Sequence, residues 1–420
     1  MAYFSISLCC VLLLLHSCSC VAISSKTECQ EIDGLIAREP DIFIPTQTGY
    51  AEVWDPNTDY FQCAGVQVTR YTILPNRLGN PFYLNADEMG YVLQGKAILG
   101  LIIPGCSQEL DGETNECQKI LRIQSGDVFV LRAGEVNWFY NDGNETYISI
   151  VITRLPSPEP RRGFQLGGSE NILSGFSSEF ITKAFNINNE LATKLRNNMD
   201  HRGRIDGGFY LSSSPTTQPC QKQDQQERNY PYNVKDEFLC NINMRIAKLS
   251  DPSSADLFIP QVGHLTTVDV HQLPILKSSQ LSASYNLLLE DVMRLPHWEN
   301  SSSIIYVIKG EGQIQVVDDN GNNVFDDIIK EGQLLLVPKY YVFAEQAKCE
   351  MFEYVTFKTT ANPITSDLSG RNSVINCLPL EVLTNTFSIN KEEAQNLKFG
   401  RKETSLVKIS YDDICEEENT

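Results

Sequence analysis

Residue types able to carry chemistry are sparse in this chain. Histidine occurs at His16, His201, His264, His271 and His297 only, and His16 falls in an N-terminal stretch expected to be removed. His297 and Glu299 are two residues apart in a run that reads as a strand, so both side chains leave the same face. Imidazole and carboxylate donors suit Mn, Fe or Cu. Two protein ligands are fewer than a catalytic metal normally has, so the pair is a weak metal candidate and neither metal nor cofactor is expected. His264 and His271 read as ordinary surface or loop residues. A glycine-rich phosphate loop, a Cys-x-x-Cys pair and a nucleophile elbow are all missing from the sequence.

Cysteine offers different chemistry. Residues 4–22 form an apolar stretch ending in small residues, with Cys20 and Ala22 suited to the positions before a signal-peptidase cut. Its core, Leu8 to Leu15, is too short to span a bilayer of about 30 Å. Cleavage after Ala22 removes four of the 13 cysteines, Cys9, Cys10, Cys18 and Cys20. The remainder are Cys29, Cys63, Cys106, Cys117, Cys220, Cys240, Cys349, Cys377 and Cys415. In an oxidising compartment some should pair, and an odd number leaves one free or bridging chains. Asn144 and Asn300 head glycosylation triplets. The net charge of -19, from 34 basic and 53 acidic residues, repels nucleic acid and anionic lipid. Neither nucleic acid nor, in the mature form, a membrane is therefore an expected partner.

The elements that must position these residues come in two copies. Pro81 to Gly95 aligns without a gap on Pro296 to Gly310, sharing Pro, Asn, Tyr, Val and Gly; Gly126 to Leu131 aligns on Gly332 to Val337, and Phe185-Asn186-Ile187 on Phe387-Ser388-Ile389. Each copy opens with short Val-, Ile-, Leu- and aromatic-rich runs: 89–94, 97–103, 127–131 and 147–153, then 304–308, 313–317, 333–337 and 352–358. Gly, Asn and Asp turns between them predict an antiparallel sandwich or barrel. Gly310-Glu311-Gly312 reads as a turn. Each copy closes with a helical pair: Phe176, Phe180, Ile181 and Ala184 on one face before a second helix capped by Asn188, then Leu383 before a helix capped by Asn390. Such short helices must bury their apolar faces on a barrel or on another subunit. Residues 212–235 are polar and amide-rich, which predicts a mobile linker open to proteases.

With these features the chain resembles a bicupin, and more narrowly a legumin-type (11S) seed globulin. Cupins carry a signature of Gly, five residues, Pro-x-Gly, two residues, His, three residues, Asn. Gly126, Gly134 and Asn141 keep that spacing, with Arg132 for Pro and Asn137 for His; in the second copy Phe343 stands where His belongs. Metal-binding cupins such as germin-like oxidases use His-x-His, a Glu and a later His. That template falls on Phe82, Leu84, Glu88 and Asn137, then on His297, Glu299, Ser303 and Phe343. The narrower resemblance rests on Val53-Trp54-Asp55-Pro56-Asn57, Ile103-Pro104-Gly105-Cys106, Asn171 to Phe176, Pro260 to Gly263 and Phe352 to Thr359.

The resemblance implies two tandem jelly-roll cupin domains, a mainly β fold, each followed by a short helical extension. Expected boundaries are a signal at 1–22, domains at 23–211 and 236–400, the linker at 212–235 and a tail at 401–420 that departs from the family's usual ending. It implies disulfides Cys29–Cys63 and Cys106–Cys240, and cutting by an asparaginyl endopeptidase between Asn233 and Val234, where legumins have Asn-Gly. It also implies a trimer or hexamer, alone or mixed with related globulins, and a storage vacuole reached through the secretory pathway, with the extracellular space as the alternative. The function implied is a non-enzymatic nutrient reservoir. The 52 amides (30 Asn and 22 Gln) and 16 Arg are a modest nitrogen store. That leaves a ligand-binding or defence role, or a metal-dependent oxidase or decarboxylase, as alternatives.

Overall fold

The computed structural model describes residues 29, 34–46, 48–103, 119–156, 159–168, 171–197 and 245–409. Ala22, Cys106, Cys117, Cys220, Asn233, Val234, Cys240 and Cys415 lie outside them.

The first copy contributes β1 Ile42–Pro45, β2 Gly49–Val53, β3 Val66–Ile73, β4 Arg77–Leu84, β5 Glu88–Gln94, β6 Lys96–Ile102, β7 Lys119–Gln124, β8 Asp127–Leu131, β9 Val136–Asn141, β10 Tyr147–Arg154 and β11 Gly163–Gln165. The second contributes β12 Ile246–Lys248, β13 Leu257–Ile259, β14 Gly263–Val268, β15 Ser282–Leu288, β16 Val292–Glu299, β17 Ser303–Val317, β18 Asn323–Lys330, β19 Leu334–Val337, β20 Val342–Lys358, β21 Thr365–Asp367 and β22 Leu406–Lys408. In the first barrel one sheet runs β1-β2-β3-β10-β5-β8-β12 and faces a second of order β11-β4-β9-β6-β7. All these strand pairs are antiparallel. In the second barrel β17 and β20 pair along most of their length and join both faces into one sheet.

The duplication extends to register. Phe82 pairs with Asn137 as His297 pairs with Phe343, and Ser149 pairs with Tyr71 as Tyr354 pairs with Asn286. The segments 304–308 and 313–317 belong to one strand, β17, because Gly310 and Gly312 flank a register shift and do not turn the chain. Gly310 sits at φ 74°, and a side chain there would collide with the Met351 carbonyl oxygen, so glycine lets the strand bend across the sheet.

Each barrel borrows backbone from the other copy. β12 pairs with β8 of the first barrel, while Arg38 bridges Leu334 on β19 of the second through N–H···O bonds of 2.8 Å in both directions. Tyr60 Oη accepts the Leu336 N–H, and Trp54 packs edge-on against Tyr306. One core of buried residues therefore runs through both halves.

Helix α1, Asp59–Ala64, carries Cys63, which is bonded to Cys29 with Cα atoms 4.9 Å apart. The closing pairs are α2 Ser178–Phe185 with α3 Asn189–Arg196, and α4 Leu380–Phe387 with α5 Lys391–Phe399. Asn188 caps α3 by accepting the Leu191 N–H, and Asn390 forms a reciprocal capping box with Glu393. Ile181, Ala192, Leu383 and Ala394 are buried, whereas Phe176 and Phe180 point to solvent. Part of the stretch read as a tail is held in place: β22 pairs with β16 and buries Leu406 and Val407.

Candidate functional site

The interior of the second barrel holds more charge than expected. His297 and Glu299 both point inward from β16 and are buried. Three further ionisable side chains join them there: Arg294, one barrel position before His297, and Glu345 and Lys358 on β20. Lys358 Nζ lies 2.6 Å from Glu299 Oε1, Ser303 Oγ donates to Glu299 Oε2 at 2.7 Å, and Thr365 Oγ1 donates to Oε1 at 3.2 Å. Arg294 donates to Asn286 at 3.2 Å and lies 3.5 Å from Glu345, which also accepts from Tyr354 Oη at 2.9 Å.

Electrostatics follow from this arrangement. Burial opposes ionisation of Glu299, yet the Lys358 ammonium, helped by Arg294, holds its carboxyl down at about 2. Burial lifts Glu345 to about 7 against the pull of Arg294. Burial and then Arg294 push the His297 imidazole down to about 3, so it is neutral near pH 7. The imidazole is held between the Leu295 carbonyl, 3.0 Å from Nδ1, and the Phe343 ring, 4.2 Å between centroids.

This is an ion network and a poor metal site, with His297 Nε2 and Glu345 Oε2 left without a hydrogen bond. Glu299, one half of the expected pair, is occupied by an ammonium and two hydroxyls. Among the described residues no group of three or more His, Cys, Asp and Glu is placed to hold a metal.

The first barrel departs further. Phe82, Leu84, Glu88 and Asn137 share its interior strands as the template places them, but two are hydrocarbon. Glu88 is buried; its Oε1 accepts from Thr153 at 2.9 Å, and Arg161 approaches to 3.5 Å. Burial raises its carboxyl despite Arg161. Beside these residues the barrel holds a cavity of about 610 Å³ that opens to solvent on one side.

The cupin sequence profile, described as Cupin, matches residues 36–193 and 247–395. The chain is 35% identical to an 11S globulin seed storage protein of Anacardium occidentale over 95% of this chain and 97% of that one. The chain belongs to the cupins and, among them, to the 11S globulins. Its fold matches that of the coconut allergen cocosin with a TM-score of 0.80 at 33% identity, covering 91% of this chain and all of that one. Recombinant pro-11S globulin of pumpkin matches at 0.79 and 33%, covering 91% and 100%.

As an 11S globulin the chain shows the Cys29–Cys63 bond that its resemblance implied. Cys377 is a free, exposed thiol. Asn144 is exposed in the turn between β9 and β10, whereas the Asn300 amide is tied to the Asn362 carbonyl and the Ile364 N–H. His264, read as a surface or loop residue, instead lies buried on β14. It stacks on Tyr285 with centroids 5.2 Å apart, because β14 turns that position into the barrel wall. Arg294, Glu345 and Lys358 escaped the sequence reading. Their one local signal is a charged residue inside a strand rich in apolar residues, Arg294 on β16 and Glu345 and Lys358 on β20.

Proposed function

We propose that this chain is a seed storage globulin whose work is to fold, assemble and later be degraded, with no reaction of its own. The observation that carries this reading is the filling of both template positions: Phe82 and Leu84 stand where two imidazoles belong, and Glu299 is engaged by Lys358. Kinship supports it, since the relative from Anacardium occidentale is named a seed storage protein.

Under this reading the precursor enters the secretory pathway, loses its signal after Ala22 and reaches a storage vacuole. There an endopeptidase cuts between Asn233 and Val234, and a Cys106–Cys240 bond keeps the pieces joined. The domains divide at the 212–235 linker, and the chains associate as trimers or hexamers. Acidic surface charge keeps the precursor dispersed near neutral pH.

Two measurements on native material test this. Quantitative proteomics of mature and germinating seeds should find the protein abundant in the first and depleted in the second. Elemental analysis of the purified protein should find Mn, Fe, Cu and Zn each well below one per chain. Scarcity in seed, or a stoichiometric metal accompanied by turnover, would overturn the proposal.

A further inference from the structure

The two barrels differ in how their interiors are filled, and the difference is written in equivalent positions. Where the second barrel places Arg294 against Glu345, the first pairs Gly79 with Phe139. Where the second has Tyr354 and Thr356, the first has Ser149 and Val151; where the second has Lys358, the first has Thr153. The side chains that plug one barrel with an ion network are therefore small or apolar in the other. The cavity of about 610 Å³ is bounded by Ile73, Leu78, Phe82, Phe129, Phe139 and Val151. A void of that size suits a small organic molecule and is large for a gap left by imperfect packing.

Polar side chains such as Thr46, Tyr71, Asn80, Ser149 and Gln165 share the lining, and two further polar groups mark opposite ends of one strand face. Tyr147, on the same inward face of β10 as Ser149, is fully buried, and the Ser149 side chain beside it is the one group near its hydroxyl among the described residues, in a geometry too poor for a full hydrogen bond. A buried hydroxyl so weakly matched is costly, and a bound oxygen would complete its bonding. Six residues along β10, Thr153 meets Glu88, the one carboxylate among the described lining residues. Its charge is answered by Arg161, and no second cation lines the described wall, so an anionic head group would face Glu88 without a partner. We infer that the interior of the first barrel binds an uncharged lipophile that carries a hydroxyl or carbonyl oxygen, its hydrocarbon body on the Phe82, Phe129 and Phe139 wall and its oxygen at Tyr147.

The test uses the purified full-length protein with the uncharged fluorescent probe N-phenyl-1-naphthylamine, displaced by 1-dodecanol or by dodecanoate at pH 8. One saturable probe per chain is expected, with dodecanol displacing it at least about tenfold better than dodecanoate. Ser149→Tyr and Gly79→Leu, which restore bulk where the second barrel has Tyr354 and Arg294, should each weaken probe binding by about tenfold or more. A β-carbon at Gly79 would come no closer than 3.6 Å to its neighbours, so the larger residue can enter. Tyr147→Phe should leave the probe bound but weaken dodecanol by about three- to tenfold. Phe180→Ser, on an exposed helix face away from the cavity lining, should leave probe binding per chain unchanged even where it alters assembly. Probe binding that survives both filling variants, or is lost in Phe180→Ser, would overturn the inference, as would equal displacement by dodecanoate. If both filling variants fail to fold, the nearly isosteric Tyr147→Phe decides, and an unchanged dodecanol affinity defeats the assignment.

Discussion

Lys358 and Glu299 form a contact of 2.6 Å with almost no exposure on either side chain, so each charge depends on the other. Removing one partner leaves an uncompensated buried ion. Lys358→Met should lower unfolding free energy by about 3–5 kcal/mol, and adding Glu299→Leu, the residue the first barrel carries at Leu84, should recover most of that loss. Urea midpoints of wild type, single and double variants give the comparison; a double variant no better than the single would show that the pair is not coupled. The cluster also fixes a pH dependence. His297, held near 3 in the fold against 6.5 ordinarily, is protonated first in the unfolded chain, so its contribution is lost as pH falls from 6.5 towards 3. Glu299, near 2 against 4.5, adds a loss as pH falls below 4.5. Glu345, near 7 against 4.5, has the opposite sign, because the folded state takes its proton first and stability falls as pH rises through that window. Glu345→Gln should therefore gain on wild type between pH 5 and pH 8, by an amount on the order of 3 kcal/mol, read from urea midpoints at each pH. A difference that does not change with pH would assign the titration elsewhere. The sequence revealed His297 and Glu299 and the loss of their would-be companions at Phe82, Leu84 and Phe343. It hid Arg294, Glu345 and Lys358, because their convergence depends on strand register, which no local pattern states.

The exchange of strands between the halves changes what a cut in the linker can do. β12 follows the linker in sequence yet sits in the first barrel's sheet, and Arg245 just before it grips Glu135 with two contacts of 2.6 and 2.7 Å, both side chains buried. In the other direction the 35–38 segment lies on the second barrel, with Leu35 N–H bonded to Val324 and Arg38 to Leu334. Protein cleaved in the linker and fully reduced should therefore remain one particle in gel filtration without denaturant. Glu135→Ala removes both of these contacts, and the cleaved, reduced variant should separate into two pieces at a lower urea concentration than wild type. Separation of the reduced wild type in buffer alone would refute the interlock. Most elements were legible locally: the alternation Gln313-Ile314-Gln315-Val316, the turn at Asp319-Asn320-Gly321, and caps at Asn188 and Asn390 all read through to the fold. The unbroken β17 was not, because glycine marks a turn and a bulge alike and only pairing with β20 separates them. The exchanged strand β12 was equally silent, since three residues carry no periodicity and their partner lies more than a hundred positions earlier.

At the scale of the molecule, both helical pairs present exposed apolar surface. α2 and α3 bury Ile181 and Ala192 but expose Phe180, Phe185 and Leu191; α4 and α5 bury Leu383 and Ala394 but expose Val382, Phe387, Leu397 and Phe399. Phe185 and Phe387 are the same position in the two copies, so each chain presents two related but non-identical faces. Two related but non-identical apolar patches on one chain suit a head-to-tail contact in which one copy's first face meets the next copy's second, and such contacts close into rings when the rotation allows. In a ring every interface contains both faces, so damage to either breaks all of them. Phe180→Ser alone should therefore lower the mass measured by light scattering towards that of one chain, with an unchanged circular dichroism spectrum because the residue is 58% exposed. Phe387→Ser should do the same. If assembly ran instead through a two-fold contact of the first face with itself, only Phe180→Ser would act. Equal effects from both substitutions are the signature of the ring, and an assembly indifferent to both would place the interface away from the helices.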